Sequence, residues 1–157
     1  ASCMDPFVKT LRFLGALALA AAVSACAFAP PGDYRPYKQS WGFYVANSGV
    51  DTFCLSPSLR LLLWNIEAHF GRKVVVSSGH RSRDHNTAVG GADDSYHMKC
   101  MAADIFIPGI SKQKLIDYAY RNPMVGGLGC YPGRTFIHVD VRQRPRGWRK
   151  PVTFNGC

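Results

Sequence analysis

Five histidines stand in this chain, His69, His80, His85, His97 and His138, and they meet a one-sided supply of carboxylates. Of the ten acidic residues only Glu67 is a glutamate, so any carboxylate chemistry falls almost entirely to aspartates. His69 sits beside Phe70 in a helical pattern and reads as an ordinary helix residue. His80, His85 and His97 fall in a polar stretch, whereas His138 lies inside an apolar run and Asp104 opens another, seven residues after His97. Two imidazoles and one carboxylate make a three-ligand catalytic zinc set that leaves a fourth position for water. Nitrogen and oxygen donors suit the borderline Zn2+ ion better than a hard ion such as Mg2+. The spacing is not the helical H-E-x-x-H arrangement. Residue types alone therefore leave open both a metal site and an ordinary scatter of loop and strand histidines.

Whatever these residues do, other elements must hold them. Ser56 is a fitting N-cap, Pro57 suits the first helical position, and Gly71 follows the apolar stripe Leu59, Leu62, Leu63, Ile66 and Phe70, which predicts a core-facing helix over 57–70. Residues 73–78 (KVVVSS) form a β-branched, buried strand. Residues 79–96 are a polar, Gly-containing loop of a length uncommon in compact domains unless it is functional. A second strand is expected over 102–107, a second amphipathic helix over 111–121, and two further strands over 125–130 and 135–141. The tail then concentrates Arg142, Arg144, Arg146, Arg149 and Lys150. Two helices and about four short strands in mixed order predict an α+β fold with a small, mainly antiparallel sheet and flanking helices.

The 157 residues carry 19 Lys+Arg against 10 Asp+Glu, a formal charge of +9, with 47% hydrophobic and 12% aromatic residues. Those values exclude a wholly disordered or fibrous chain and favour anionic partners without choosing among them. Residues 1–26 read as a secretory signal: Lys9 and Arg12 precede an apolar run from Leu14 to Val23, too short to span a bilayer comfortably. The run ends Val23-Ser24-Ala25-Cys26, which resembles a bacterial lipobox, so Cys26 is the expected lipidation site. Residues 27–40 read as a Pro-rich tether and 41–157 as the working domain. Cys54, Cys100, Cys130 and Cys157 remain, an even number that reads as two disulfides in an oxidising compartment, with three pairings open. No C-x-x-C pair exists to favour a zinc ribbon.

Two stretches carry a specific resemblance. SGHRSRDHNTAVGGADDSYHMKCMAADI (78–105) and GGLGCYPGRTFIHVDVR (126–142) resemble, in order, the two signatures of zinc D-Ala-D-Ala carboxypeptidases and related murein peptidases, a group that includes lysostaphin-type and hedgehog-like domains. The resemblance implies the small α+β sheet of that group and one zinc ion held by His97, Asp104 and His138. It places Arg81 at the substrate or the developing oxyanion, Ser95 along the substrate site, and His80, where relatives usually carry Tyr, against the substrate. His85-Asn86 is then a loop brace, and Asp93 and Asp94 are solvated charges. Many relatives place a Glu or His before the last ligand; here the H-x-H position is Phe136. Asp140, on the same strand face as His138 because side chains alternate, is either the general base or a group that orients His138. A Cys100–Cys130 disulfide would brace the metal site, leaving Cys54–Cys157 to pin the tail.

The implied function is zinc-dependent hydrolysis of a peptide bond in bacterial peptidoglycan, D,D or L,D, by an exported, periplasmic, lipid-anchored and monomeric protein. Two other readings compete. A non-catalytic, zinc-containing module would grip peptidoglycan without cleaving it, and a basic nucleic-acid binder would use the tail arginines. The signal-like segment and the lack of any nucleic-acid motif weigh against the last.

Overall fold

The chain is described here by a computed structural model covering residues 33–157. The signal-like segment 1–26, with Cys26, and residues 27–32 of the expected tether lie outside the described residues. Among those described, no helix is long and apolar enough to cross a membrane.

Helix α1 spans Pro57–Phe70 and begins as its capping signals require: the Ser56 hydroxyl accepts a hydrogen bond from the Leu59 N–H, and Gly71 closes the helix at φ 59°. Its stripe of Leu59, Leu62, Leu63 and Ile66 is fully buried. Glu67, the single glutamate, is buried too; it accepts from Lys73 Nζ and from the Val74 N–H, fixing the chain reversal into strand β3 (Val75–Ser78). Helix α3 (Lys112–Arg121) is capped the same way by Ser111, and Tyr118 and Asn122 tie it to Asn65 of α1. Between them lies a short helix within the polar loop, α2 (Arg83–Ala88), which the sequence pattern does not signal.

Strands β1 (Lys38–Ser40), β2 (Phe43–Val45), β3, β4 (Ala102–Phe106), β5 (Gly127–Gly129), β6 (Ile137–Asp140) and β7 (Val152–Phe154) form one sheet in the order β1-β2-β3-β4-β6-β5-β7. The α+β expectation holds, but the sheet departs from the small, mainly antiparallel one expected. It has seven strands and is mixed, because β2–β3 and β5–β7 pair in parallel towards its two edges. Residues 34–40, expected to end a tether, are instead packed against the domain. The buried Tyr34 donates its hydroxyl to the Lys73 carbonyl and stacks on Tyr44, and β1 pairs with β2.

Alternation along the central strands separates two faces. Ala103 and Ile105 of β4, Leu128 of β5, and Ile137 and Val139 of β6 join the stripes of α1 and α3 in one buried apolar cluster. Asp104, His138, Asp140, Gly127 and Gly129 necessarily point the other way.

The disulfides pair Cys54–Cys100 and Cys130–Cys157, not Cys100–Cys130 and Cys54–Cys157 as the resemblance suggested. The cause is topological. Cys100 ends the turn after His97, where its carbonyl accepts from the Ser56 N–H beside the start of α1, and its Cα lies 5.7 Å from that of Cys54. Cys130 follows β5, and the unexpected parallel strand β7 brings Cys157 to a Cα separation of 4.9 Å. Peptide mapping without reduction should recover these two pairs; a Cys100–Cys130 peptide would contradict the fold. Replacing both Cys54 and Cys100 by Ser is expected to lower unfolding stability by about 2–4 kcal/mol, checked by denaturant titration.

Candidate metal centre

The β4–β6 register sets Asp104 directly opposite His138 and Ala102 opposite Asp140, so two of the three candidate ligands are cross-strand neighbours on one face. The third, His97, arrives from the long loop. Its Nδ1 hydrogen-bonds the Gly79 carbonyl at 2.7 Å, the Arg81 N–H donates to its own carbonyl, and Cys100, three residues on, is bound to Cys54. All three residues are buried. His97 Nε2 lies 3.1 Å from His138 Nδ1 and 3.3 Å from Asp104 Oδ1, and His138 Nδ1 lies 3.2 Å from the same oxygen.

Protonation follows from the partners. A carbonyl only accepts, so the neutral His97 ring carries its proton on Nδ1 and turns a lone pair outward at Nε2. His138 Nε2 lies 3.0 Å from Asp140 Oδ2, and Asp140 accepts further bonds from the backbone N–H and guanidinium of Arg142. The ring proton of His138 is thus held at Nε2, and Nδ1 also presents a lone pair. With both rings neutral, two imidazole lone pairs and a carboxylate oxygen converge, an arrangement that calls for a positive charge. Ligand atoms about 2.0–2.2 Å from a tetrahedral ion lie roughly 3.3 Å from one another, which the three observed separations match. The donor set fits zinc in both chemistry and spacing.

The same convergence governs the local acidities. Burial opposes ionisation of Asp104, but its contacts with His138 and His97 outweigh that cost and hold the carboxyl well below the usual range. Burial pushes the His138 imidazole down, and Asp104 and Asp140 more than reverse it, so its pKa is raised. For Asp140, burial is overcome by hydrogen bonds from His138 and Arg142, leaving its pKa at about 2.

Around the triad the supports are equally specific. Arg81 Nη2 binds Asp104 Oδ2 at 2.5 Å and its Nε binds Ser78 Oγ at 2.8 Å, so one carboxylate oxygen is tied back and the other faces the histidines. An irregularity between Val76 and Ser78 brings Ser78 opposite Asp104. Gly127 and Gly129 pair with Asp140 and His138, and a Cβ at Gly127 would fall 2.2 Å from Asp140 Oδ2. Side-chain-free positions there give the buried ligands and their supports their space.

Of the other expected site residues, Arg81, Ser95 and His80 all line one open cleft with the triad. His80 Nδ1 lies 3.2 Å from Asp51 Oδ2, and Ser95 Oγ accepts from the His97 N–H. The loop brace is Asn86, buried and donating to the Ala92 carbonyl, while His85 is exposed. Asp140 binds the ring edge of His138 remote from Nδ1, and its oxygens accept from Arg142. Its geometry is that of a group holding His138 in place. Arg142 is the residue that sequence reasoning missed, since it reads there as one more tail cation. Its guanidinium also lies 4.4 Å above the Tyr96 ring. Arg144 is likewise committed, to the carbonyls of Asn122, Val125 and Arg149, which removes two of the five tail cations from a nucleic-acid surface.

The profile of the family described as Peptidase M15 matches residues 41–140. The chain is similar to the peptidoglycan L,D-endopeptidase MepK of Escherichia coli K12, 34% identical over 94 residues, covering 55% of this chain and 51% of that protein. It is 35% identical over 97 residues to the probable peptidoglycan L,D-endopeptidase MepK of Haemophilus influenzae, covering 55% and 50%. The chain thus spans about half the length of the curated relatives it matches.

Replacing Asp140 with Asn should leave the three ligands present yet weaken zinc binding about 10–100-fold, measured by competition with a chromophoric chelator. It should also remove a pH-dependent contribution to stability. The folded pKa lies below the unfolded value of 3.8, so the contribution, about 2 kcal/mol, is complete above that value and lost as pH falls through about 2. Acid titrations of the metal-free proteins should differ accordingly; identical curves would reject the role.

Proposed function

The chain belongs to the Peptidase M15 family, and from that premise we propose that it hydrolyses a peptide bond in bacterial peptidoglycan, with one zinc ion held by His97 Nε2, Asp104 Oδ1 and His138 Nδ1. The carrying observation is the convergence of those three unprotonated donors within 3.3 Å on the wall of an open cleft. When bound, zinc supplies Lewis acidity, polarising a scissile carbonyl and bringing the pKa of water down towards about 7.

The chain's own residues divide the remaining tasks. Gly79 and Asp140 hold the ring protons of His97 and His138 at Nδ1 and Nε2, keeping the opposite nitrogens free for the ion. Arg81 ties back Asp104 Oδ2 and leaves Oδ1 towards the histidines, and its charge beside the triad favours an anionic substrate group or developing oxyanion. Ser95 and His80 supply polar contacts along the cleft. Most of the basic surplus outside the cleft favours retention on an anionic wall polymer. The relatives' names support an L,D bond, and the Val23–Cys26 stretch supports export to the periplasm with a lipid anchor on Cys26. A second reading, a module that grips peptidoglycan without cleaving it, rests on one observation: Phe136 occupies the position where many relatives place a base.

Incubating the full chain with defined muropeptide dimers, followed by mass analysis, separates the two. The expected result is cleavage of the L,D cross-link bond with zinc, loss of cleavage with EDTA and its return on adding zinc back. The His97→Ala variant should be inactive. Binding to muropeptides with no product under any condition would establish the gripping module instead.

A further inference from the structure

Tyr131 lies in the cleft beside the candidate metal centre. It is a non-glycine residue in the left-handed region, φ 45°, a conformation that costs free energy and persists only where the surroundings enforce it. Here they do so from several directions. The Tyr131 N–H donates to the Asn155 carbonyl, itself on a residue at φ 51°. Lys112 Nζ, from α3, donates to the Tyr131 and Arg134 carbonyls at 2.7 and 2.8 Å. The preceding residue, Cys130, is bound to Cys157. Two strained residues are thus clamped face to face by a disulfide, a parallel strand pair and the Lys112 ammonium.

That clamp aims one side chain. Over Gly129, the ring edges of Tyr131 and Phe154 meet the His138 Cβ, all three within 3.1 Å of where a Cβ at position 129 would sit. The Tyr131 ring therefore lies beside the third ligand and, with Arg81 and Asp104, lines the same cleft. A tyrosine hydroxyl, with an ordinary pKa of about 10, is a protonated donor at neutral pH. Arg81, the cation beside the triad, already spends Nε on Ser78 and Nη2 on Asp104.

We propose that Tyr131 is a catalytic residue whose hydroxyl donates a hydrogen bond to the oxyanion that develops on the scissile carbonyl. The inference rests on the peptidase reading above. The strain is explained by it: a donor aimed in advance at a developing charge costs no reorganisation during reaction.

The test compares the zinc-loaded full chain with its Tyr131→Phe variant, which removes one oxygen and keeps the ring. With a cleavable muropeptide dimer, kcat should fall by about 10²-fold while KM changes less than about threefold and zinc stoichiometry stays the same. Affinity for a phosphinate pseudopeptide, which mimics the tetrahedral oxyanion, should fall at least about tenfold, whereas affinity for the cleaved product should not. A variant with kcat within about threefold of the parent and a lowered melting temperature would overturn the proposal, showing the hydroxyl to be merely structural. If the parent chain itself cuts no muropeptide, the peptidase reading fails and this role falls with it; a cutting parent with an equally active Tyr131→Phe variant defeats the role of Tyr131 alone.

Discussion

Three lone pairs brought together inside a protein repel one another unless a cation lies between them, and the structure around His97, Asp104 and His138 is organised to make that arrangement unavoidable. Each donor is fixed by what holds its far side: a backbone carbonyl behind His97, an arginine-bound carboxylate behind His138, and a guanidinium behind Asp104. Burying two imidazoles and two carboxylates is expensive unless every polar atom is matched. Arg81 and Arg142 match the two anions, and the converging lone pairs are what remains for a cation to match. The supporting shell is therefore as much a condition of the site as the ligands are.

The fold can be understood as the way to meet this constraint. Strand alternation lets β4 and β6 spend one face on the apolar core and the other on Asp104, His138 and Asp140. The neighbouring β5 must do the same with less room, and the G-L-G sequence of residues 127–129 answers both needs: Leu128 enters the core, while its flanking glycines clear space for the buried polar groups. The disulfides stabilise the two segments that no central strand holds, the turn after His97 and the C-terminal edge beside Tyr131.

Much of this was legible in the chain, and what was not has physical causes. Helices α1 and α3 were readable from their periodicity, and for α1 the capping and terminating signals agree down to Ser56 and Gly71. The ligand set could be suspected from residue types and became specific through its two flanking signatures. Strands β1, β2 and β7 escaped because three-residue strands owe their existence to a neighbour, not to their own pattern. Missing β7 had a direct consequence, for without it nothing places Cys157 beside Cys130. The roles of Asp140 and Arg142 were hidden for a different reason: which edge of an imidazole a carboxylate meets, and which cation then neutralises it, is decided by side-chain placement, not by spacing. Tyr131 carried no sequence signal at all beyond its position in the second signature, because backbone strain is invisible in a list of residues.

X-ray absorption at the zinc edge of the metal-loaded full chain addresses the central claim most directly. One tightly held ion per chain, with two imidazole nitrogens and oxygen donors at about 2.0–2.2 Å and no sulfur neighbour, is the predicted result. A folded chain that retains no ion after zinc loading and dialysis, or one whose ion has sulfur in its coordination shell, would contradict the account.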